Sequence, residues 1–545
     1  MDIFFNILIM MLLVSISGLA KRIIPCQFPL PLLQIALGAC MAWPNYGLHI
    51  DFNSELFFVL FVPPLLFVDG WKIPTSEFMN HGREIILLAL ALVLMNVIGI
   101  GYLSYLIVPH MKFLPALCLA AVLSPTDAVA LSGMIGEGRI PKKIMTILQG
   151  EALMNDASGL IALKFAVAVA IGGTISFTFY SALMEFSKLF LGGILSGIII
   201  TWIYSKLIRL MNKLNYDPVT QIILLLLLPF ASSLIADSIA FSGILAAVAA
   251  GMTVHHTGII HNAPLTMRLR ANNVWSMLEF IFNGMVFILF GIQLPKIVIN
   301  YIAHSEIKNY VNCWLLVIDV ITIYFSLLVV RFGWLLTMQS ISHRFMKKYP
   351  IEFEKYTLRE LLIISFAGVR GTITLAGVLS IPHFINVNNI FPARDELIFV
   401  ATGVILFSLF ISIIILPILL HEVSLDRKRT VDKIELEQAR SIMARVAIES
   451  INKMENRLVY DTKENIDSDL LREVSSRVIG SMRQRLDDKK MVIADNVERR
   501  FRITGLRAER GEVYHLRATK KISDETMQKL LYELDLLEAL LIEKE

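Results

Sequence analysis

Thirteen apolar runs recur through the first 420 residues, and nothing else in the chain constrains its fold as strongly. They cover approximately 3–19, 29–43, 55–71, 84–108, 113–135, 144–171, 186–204, 217–237, 239–256, 274–294, 311–337, 359–381 and 396–420. About 20 such residues cross a hydrocarbon core of about 30 Å at about 1.5 Å rise per residue. No water reaches that core, so each backbone N–H and C=O must be satisfied within the protein, which selects helices. The expected fold class is an all-α polytopic membrane protein with about 13 transmembrane helices. A mean hydropathy of +0.65 places the chain outside the range of soluble globular proteins.

Charge then divides the chain. Residues 421–545 hold 25 Lys+Arg and 25 Asp+Glu, so the formal net charge of +4 belongs to the first 420 residues. The expected domains are a transmembrane domain, 1–420, and a charged, mainly helical cytoplasmic tail, 421–545. The tail alternates apolar and charged residues over Val431–Asn452, Leu470–Arg485 and Thr526–Ile542, the pattern of amphipathic helices. It carries no nucleotide or catalytic motif, and the small positive charge reflects loop topology rather than nucleic-acid binding.

The loops set orientation. Lys21 and Arg22 follow the first apolar run, whereas a signal peptide carries its basic residues ahead of the run. The run reads as an anchor with its N-terminus outside. Loops on one side then carry Lys21, Arg22, Lys72, Arg83, Arg139, Lys142, Lys143, Lys206, Arg209, Lys213, Arg268, Arg270, Arg344, Lys347, Lys348, Lys355 and Arg359. The other side carries only Lys112, Lys188, Lys296, Lys308 and Arg394. This bias points to an odd number of spans with the tail inside. Cys26, Cys40, Cys118 and Cys313 stand singly and form no CxxC pair or disulfide framework.

Several polar residues interrupt the apolar runs. A charged side chain at mid-membrane costs roughly 2.5–3.5 kcal/mol on insertion scales, so each one asks for a task or a partner. Run 144–171 contains Gly150-Glu151-Ala152-Leu153-Met154-Asn155-Asp156, and Asp156 has no cation near it in sequence. Run 113–135 contains Ser124-Pro125-Thr126-Asp127, where the proline is expected to break the helix and leave Asp127 beside freed carbonyls. Run 359–381 contains Ala367-Gly368-Val369-Arg370-Gly371-Thr372, where glycines let the backbone unwind or pass close to another helix. Arg370 there needs a carboxylate or the C-terminal end of a half-helix. Arg331 is a further intramembrane cation. Asp69, after Pro63-Pro64, is a further acid and a possible pathway residue, near enough to the end of its run to reach the inner interface. Lys164 and Asp319 could snorkel or pair near an edge, and His255, His256 and His261 read as solvated loop residues.

The two interrupted runs are the fifth and twelfth. An odd separation means opposite orientation, so the expected arrangement is a pair of inverted repeats, spans 2–7 and 8–13, with the broken helices crossing near the midplane.

Taken in order, Pro63-Pro64 with Asp69-Gly70, Ser124-Pro125-Thr126-Asp127, Gly150-Glu151 with Asn155-Asp156, Phe241-Ser242-Gly243, Phe287 to Gly291, and Gly368-Val369-Arg370-Gly371 resemble the monovalent cation:proton antiporters. The likeness is to the sodium/proton exchanger branch, specifically bacterial members with a long cytosolic tail. The resemblance covers spans 3 to 13 and implies that Asp156 is the essential carboxylate, with Asn155 before it marking the electroneutral branch. It implies that Asp127 and Thr126 complete the monovalent cation site, Thr126 through hydroxyl and backbone oxygen. It also implies that Glu151 pairs with Arg331 and that Arg370 counters charge at the crossing. One departure is Ala152, where many members carry Ser; the missing hydroxyl leaves the preferred cation open.

The expected function is sodium (or lithium) exchange for protons, electroneutral and by alternating access around Asp156, with potassium/proton exchange as the alternative. Hard cations favour the carboxylate, carbonyl and hydroxyl oxygens that such a crossing supplies. A channel would need a ring of acids or a carbonyl filter, and an intramembrane hydrolase an HExxH or a nucleophile–base pair; neither pattern occurs. A receptor leaves the intramembrane charges unexplained. The chain is thus expected not to be an enzyme and to need no cofactor. Its expected partners are sodium, protons and membrane lipid, without nucleic acid, and the resemblance implies a homodimer in the bacterial inner membrane.

Overall fold

The computed structural model describes residues 2–23, 29–42, 54–108, 111–136, 139–172, 179–213, 218–257, 265–308, 313–345, 356–382, 384–386, 389–391, 393–421, 441–455, 468–484, 488–519, 521 and parts of 526–538. The chain divides into two units, Met1–Val423 and Ser424–Glu545.

All thirteen apolar runs carry helix. The first unit starts with α1 (Asp2–Ile23) and α2 (Leu30–Met41), then α3 (Ser54–Leu60) and α4 (Val62–Lys72), which meet at Phe61. Pro63 lies in the first turn of α4, where its missing N–H costs no helical bond. A short α5 (Thr75–Asn80) leads to α6 (Gly82–Ile86), one π-helical turn at Leu87–Ala91, and α7 (Leu92–Ile107). Next come α8 (Phe113–Leu123) and α9 (Ala128–Ile135), bent by 50° to one another. Four long helices and one shorter one follow: α10 (Lys142–Gly172), α11 (Phe179–Lys213), α12 (Pro218–Ser238), α13 (Gly243–His256) and α14 (Leu265–Lys308). The unit closes with α15 (Cys313–Phe345), α16 (Leu358–Phe366), α17 (Thr372–Leu379), a small hairpin of β1 (Phe384–Asn386) and β2 (Asn389–Ile390), and α18 (Arg394–Leu420).

The thirteen segments are unequal. Among the described residues nine helices are long and apolar enough to cross a membrane, or ten with the bent α8/α9 pair, while α2 and α13 are shorter. Breaks in the fifth and twelfth runs account for the short pieces at α8, α9, α16 and α17.

The positions of the two breaks correct the expected repeat. One buried core joins α2, α6 to α10 and α14 to α18 through residues such as Leu92, Leu119, Ile147, Phe290, Ile323, Ile363 and Ile405. A second cluster joins α4, α11, α12, α13 and α14 through Phe67, Ile208, Leu225, Val254 and Trp275. Repeats over spans 2–7 and 8–13 would place one break fourth and the other fifth in its repeat. Breaks in the fifth and twelfth runs take equivalent places when spans 1–6 are matched with spans 8–13 instead, leaving α11 as the connection. Between helices the packing relies on small residues, as expected where lipid offers no hydrophobic drive. Where α2 crosses α14, a Cβ on Gly38 would lie 3.0 Å from the Cα of Gly291.

In the second unit, residues 441–455 form α19, followed by α20 (Ser468–Gln484) and α21 (Asp488–Ala518). The expected helix Leu470–Arg485 coincides with α20 up to Gln484; residues 431–440 of Val431–Asn452 lie outside the described residues. Thr526–Ile542 is helical at those of its residues that are described. Arg510 of α21 bonds Glu538 at 2.7 Å, and Val513 and Leu534 are buried, so α21 packs against that segment. The long α21 escaped the sequence reading because Gly505 and Gly511 interrupt it and its charges lie on most faces.

Candidate functional site

The centre of the first unit is the crossing of the two broken helices. Pro125 has no N–H to continue α8, and the chain restarts as a helix only at Ala128. Asp127 caps that restart, its Oδ1 accepting the Ala130 N–H at 2.8 Å. The Asp127 N–H itself donates to the Val369 carbonyl at 2.7 Å, tying one unwound segment to the other. That second segment runs from Ala367 to Gly371, after which α17 begins. A side chain at Gly371 would collide with the Asp127 carboxylate, so only glycine permits the approach. The carboxylate therefore lies at the amide ends of both α9 and α17, where helix dipoles favour negative charge. This differs from the expected placement beside freed carbonyls, because Asp127 belongs to the restart of the helix rather than to its break.

The carbonyl ends are met by the two arginines. Arg370 Nε donates to the Leu123 carbonyl at 2.9 Å, at the end of α8, and its Nη1 donates to the Gly368 carbonyl. Its backbone N–H donates to Ser408 Oγ at 3.1 Å. Arg331 Nε donates to the Ile364 carbonyl near the end of α16 at 3.1 Å. The same guanidinium pairs in fork geometry with Glu151, Nη2 to Oε2 at 2.6 Å and Nη1 to Oε1, and both side chains are buried. Each half-helix C-terminus thus has a cation, and each N-terminus shares an anion.

Helix α10 presents Asn155 and Asp156 about 100° apart around its axis, and the two face different tasks. Asn155 Nδ2 donates to Thr126 Oγ1 at 2.8 Å, while its Oδ1 accepts the Thr126 N–H at 3.3 Å. The amide clamps the unwound segment after α8. Ser158 Oγ, one turn on, donates to the Ala89 carbonyl at 2.8 Å, in the π-helical turn whose altered bonding leaves carbonyls available. Replacing Asn155 by Leu removes both bonds to Thr126; we expect about 2–3 kcal/mol of lost stability, read as a lower melting temperature of the detergent-purified protein.

Asp156 instead lines a cavity of about 300 Å³. Its polar wall includes Asp69 and Lys72 of α4, Thr126 and Asp127 at the crossing, and Glu279 and Asn283 of α14, with Ser132, Gln149 and Thr374 beside them. Four of the expected site residues, Asp69, Thr126, Asp127 and Asp156, therefore meet at one cavity. Asn155, Glu151, Arg331 and Arg370 stand outside its wall and hold the helices that form it. Ala152 is also on the wall, where the departure from Ser leaves an apolar surface. Elsewhere, Lys164 is exposed, Asp319 is buried in α15, and His255 and His256 form the exposed last turn of α13. His261 lies outside the described residues.

Sequence reasoning missed Lys72, Ser132, Gln149, Glu279, Asn283 and Thr374 as lining residues. Glu279 is a lone acid inside run 274–294, the same signal that singles out Asp156. Lys72 reads as an ordinary loop cation, and no local pattern marks Asn283.

Comparison with known proteins identifies the family. The family model for the transmembrane sodium/hydrogen exchanger matches residues 8–422. The uncharacterized Na(+)/H(+) exchanger YjcE of Escherichia coli (strain K12) is 60% identical over 550 residues, covering 100% of each chain. The sodium, potassium, lithium and rubidium/H(+) antiporter of Bacillus subtilis (strain 168) is 40% identical over 77% of this chain and 62% of the relative. The sodium proton antiporter MjNhaP1 from Methanocaldococcus jannaschii shares the fold, with a TM-score of 0.56 and 15% identity over 76% of this chain and 100% of that one. The chain is a multi-pass membrane protein of the sodium/hydrogen exchanger family.

Proposed function

We propose that the protein exchanges sodium or lithium for protons by alternating access around Asp156, one cation against one proton. The observation that carries this reading is the placement of Asp156 on a cavity wall beside the crossing, with Thr126 and Asp127 next to it. Asp127 and Asp156 supply carboxylate oxygens and Thr126 a hydroxyl, a donor set suited to a hard monovalent cation.

An ionised carboxylate is expensive to shut away from water without a partner. Asp156 can therefore be enclosed when it holds a cation or when it holds a proton, and resists enclosure when it holds neither. That asymmetry couples the two ions. The cavity lies between α4 and α14 on one side and α9, α10 and α17 on the other. Rocking of the crossing-bearing helices against α4 and α14 would expose Asp156 to each face in turn. Asn155 does not titrate and is committed to Thr126, which leaves Asp156 as the proton carrier beside it and supports an electroneutral cycle.

The cavity is walled by Lys72 and Ile140, near the basic loops that the charge bias assigns to the inside. We read it as facing the cytoplasm, in an inner-membrane protein whose N-terminus is outside and whose tail is cytoplasmic. Exposed apolar faces such as Leu195, Ile199, Trp202 and Ile203 on α11 suit lipid or a second copy in a homodimer.

Potassium is the second reading, favoured by Ala152. Its methyl group on the wall supplies no ligand and leaves more room than a serine would. Ala152→Ser is expected to shift the sodium-to-potassium preference toward sodium by roughly 3- to 10-fold, about one hydrogen-bond equivalent, in paired rate measurements.

The direct test uses purified protein in proteoliposomes with an imposed pH gradient and a pH-sensitive dye. Dequenching on adding sodium or lithium, unaffected by clamping the voltage with potassium and valinomycin, is the expected result. Dequenching chiefly by potassium would select the second reading. No response to any of the three cations would overturn the proposal.

A further inference from the structure

Asp69 and Lys72 lie three residues apart on α4, so both side chains project from one face of its last turns. That face lines the cavity, and Glu279 and Asn283 of α14 line it from across. Lys72 Nζ reaches over to Glu279 Oε2 at 2.5 Å. Exposure is graded along the way: the Lys72 side chain is 56% exposed, that of Glu279 19%, and Asp156 only 7%. An ammonium group is thus tethered to Glu279 on the wall of the cavity that Asp69 and Asp156 also line.

We propose that Lys72 is an affinity-setting residue, a tethered cation that competes with the transported ion for Glu279 and so sets the apparent cation affinity. The inference rests on the exchange reading above. An incoming sodium ion that displaces the ammonium takes over the same carboxylate oxygens. Lys72 swings outward on its flexible stem, which its exposure permits. With the lysine in place the vestibule carries one less negative charge, and the cation concentration near Asp156 is lower than two free acids would produce. Glu279 in turn keeps the ammonium at the mouth. Without it, Lys72 is free to pair with Asp69, deeper in, and repel the substrate from there. Its role is positioning and electrostatic, exercised through the Glu279 carboxylate that its ammonium group holds.

The test is the sodium dependence of the exchange rate in proteoliposomes for the full chain and its variants. Lys72→Met is expected to lower the apparent KM for sodium about 3- to 10-fold, as the removal of one nearby charge should, with the effect falling on KM rather than on the maximum rate. Raising ionic strength with choline chloride should shrink that difference, because the mouth is open to screening. Lys72→Arg keeps the charge and should stay near the wild-type KM. Glu279→Gln should raise KM, and the double variant should lie between the two singles. If Lys72→Met fails to fold, Lys72→Gln and Glu279→Gln carry the same comparison. Wild-type exchange with KM unchanged in Lys72→Met and Glu279→Gln would overturn this inference alone. Equal losses of maximum rate in Lys72→Met and Lys72→Arg would do the same, since they would indicate a structural contact. Wild-type protein that exchanges no cation for protons would instead overturn the exchange reading itself.

Discussion

Asp156→Asn is expected to abolish cation-driven proton movement, by at least about 100-fold, while leaving the protein folded. Asparagine matches aspartate in size but has neither a negative charge for the cation nor a site for the proton, so both halves of the cycle fail together. It resembles the protonated acid, and an amide is cheaper to bury than an unpaired carboxylate. The variant should therefore melt no lower than wild type in detergent, even as exchange disappears. Asp156→Glu keeps the charge and should retain partial exchange with altered cation affinity. Sodium-driven proton movement at a tenth of the wild-type rate or more in Asp156→Asn would remove Asp156 from its central place.

The second large effect falls on stability. Glu151 and Arg331 are both buried and pair in a fork, with Arg331 also donating to the Ile364 carbonyl. Glu151→Leu leaves that guanidinium without its counter-charge inside the bundle. We expect a loss of about 3–5 kcal/mol, the usual consequence of removing one partner of a buried pair. Replacing both residues, Glu151→Leu with Arg331→Met, should recover most of the stability, because well-packed apolar groups often match a buried ion pair. Thermal melting of the two singles and the double closes the cycle. Additive losses would show that the two residues do not act as a pair. Exchange in the double variant should survive at a reduced rate, since Glu151 and Arg331 stand outside the cavity wall.

Much of this organisation is legible in the sequence. In a membrane an apolar run can satisfy its backbone only as a helix, so runs such as 144–171 and 396–420 translate directly into α10 and α18. Pro125 and the Gly368–Gly371 segment mark the two breaks because proline lacks a donor and glycine allows close backbone approach. What the sequence does not convey is direction. Asp127 reads as a carboxylate near freed carbonyls, yet it caps the amide ends, because one residue's difference in where α9 restarts decides which dipole end it meets. Asn155 and Asp156 are neighbours that read as one site, and the helical turn separates them into a clamp and a cavity residue.

Other features depend on tertiary contact and leave little local trace. The span offset of the repeat emerges from where the two breaks fall, not from hydropathy. Lys72 of α4 is tied across the site to Glu279 of α14, 207 residues later and 2.5 Å away. The fork between Glu151 and Arg331 spans 180 residues and follows in the sequence only through the resemblance to exchangers.

The account stands on the claim that one carboxylate holds either a proton or a cation. The measurement closest to that claim is proton release from detergent-purified protein in weakly buffered solution as sodium is added, with sodium binding followed in parallel. The account predicts about one proton released per sodium bound at the pH where release is maximal, weaker sodium binding as pH falls, and neither release nor tight binding in Asp156→Asn. Sodium binding to the wild-type protein without proton release at any pH between 5 and 9, or unchanged release in Asp156→Asn, would contradict it.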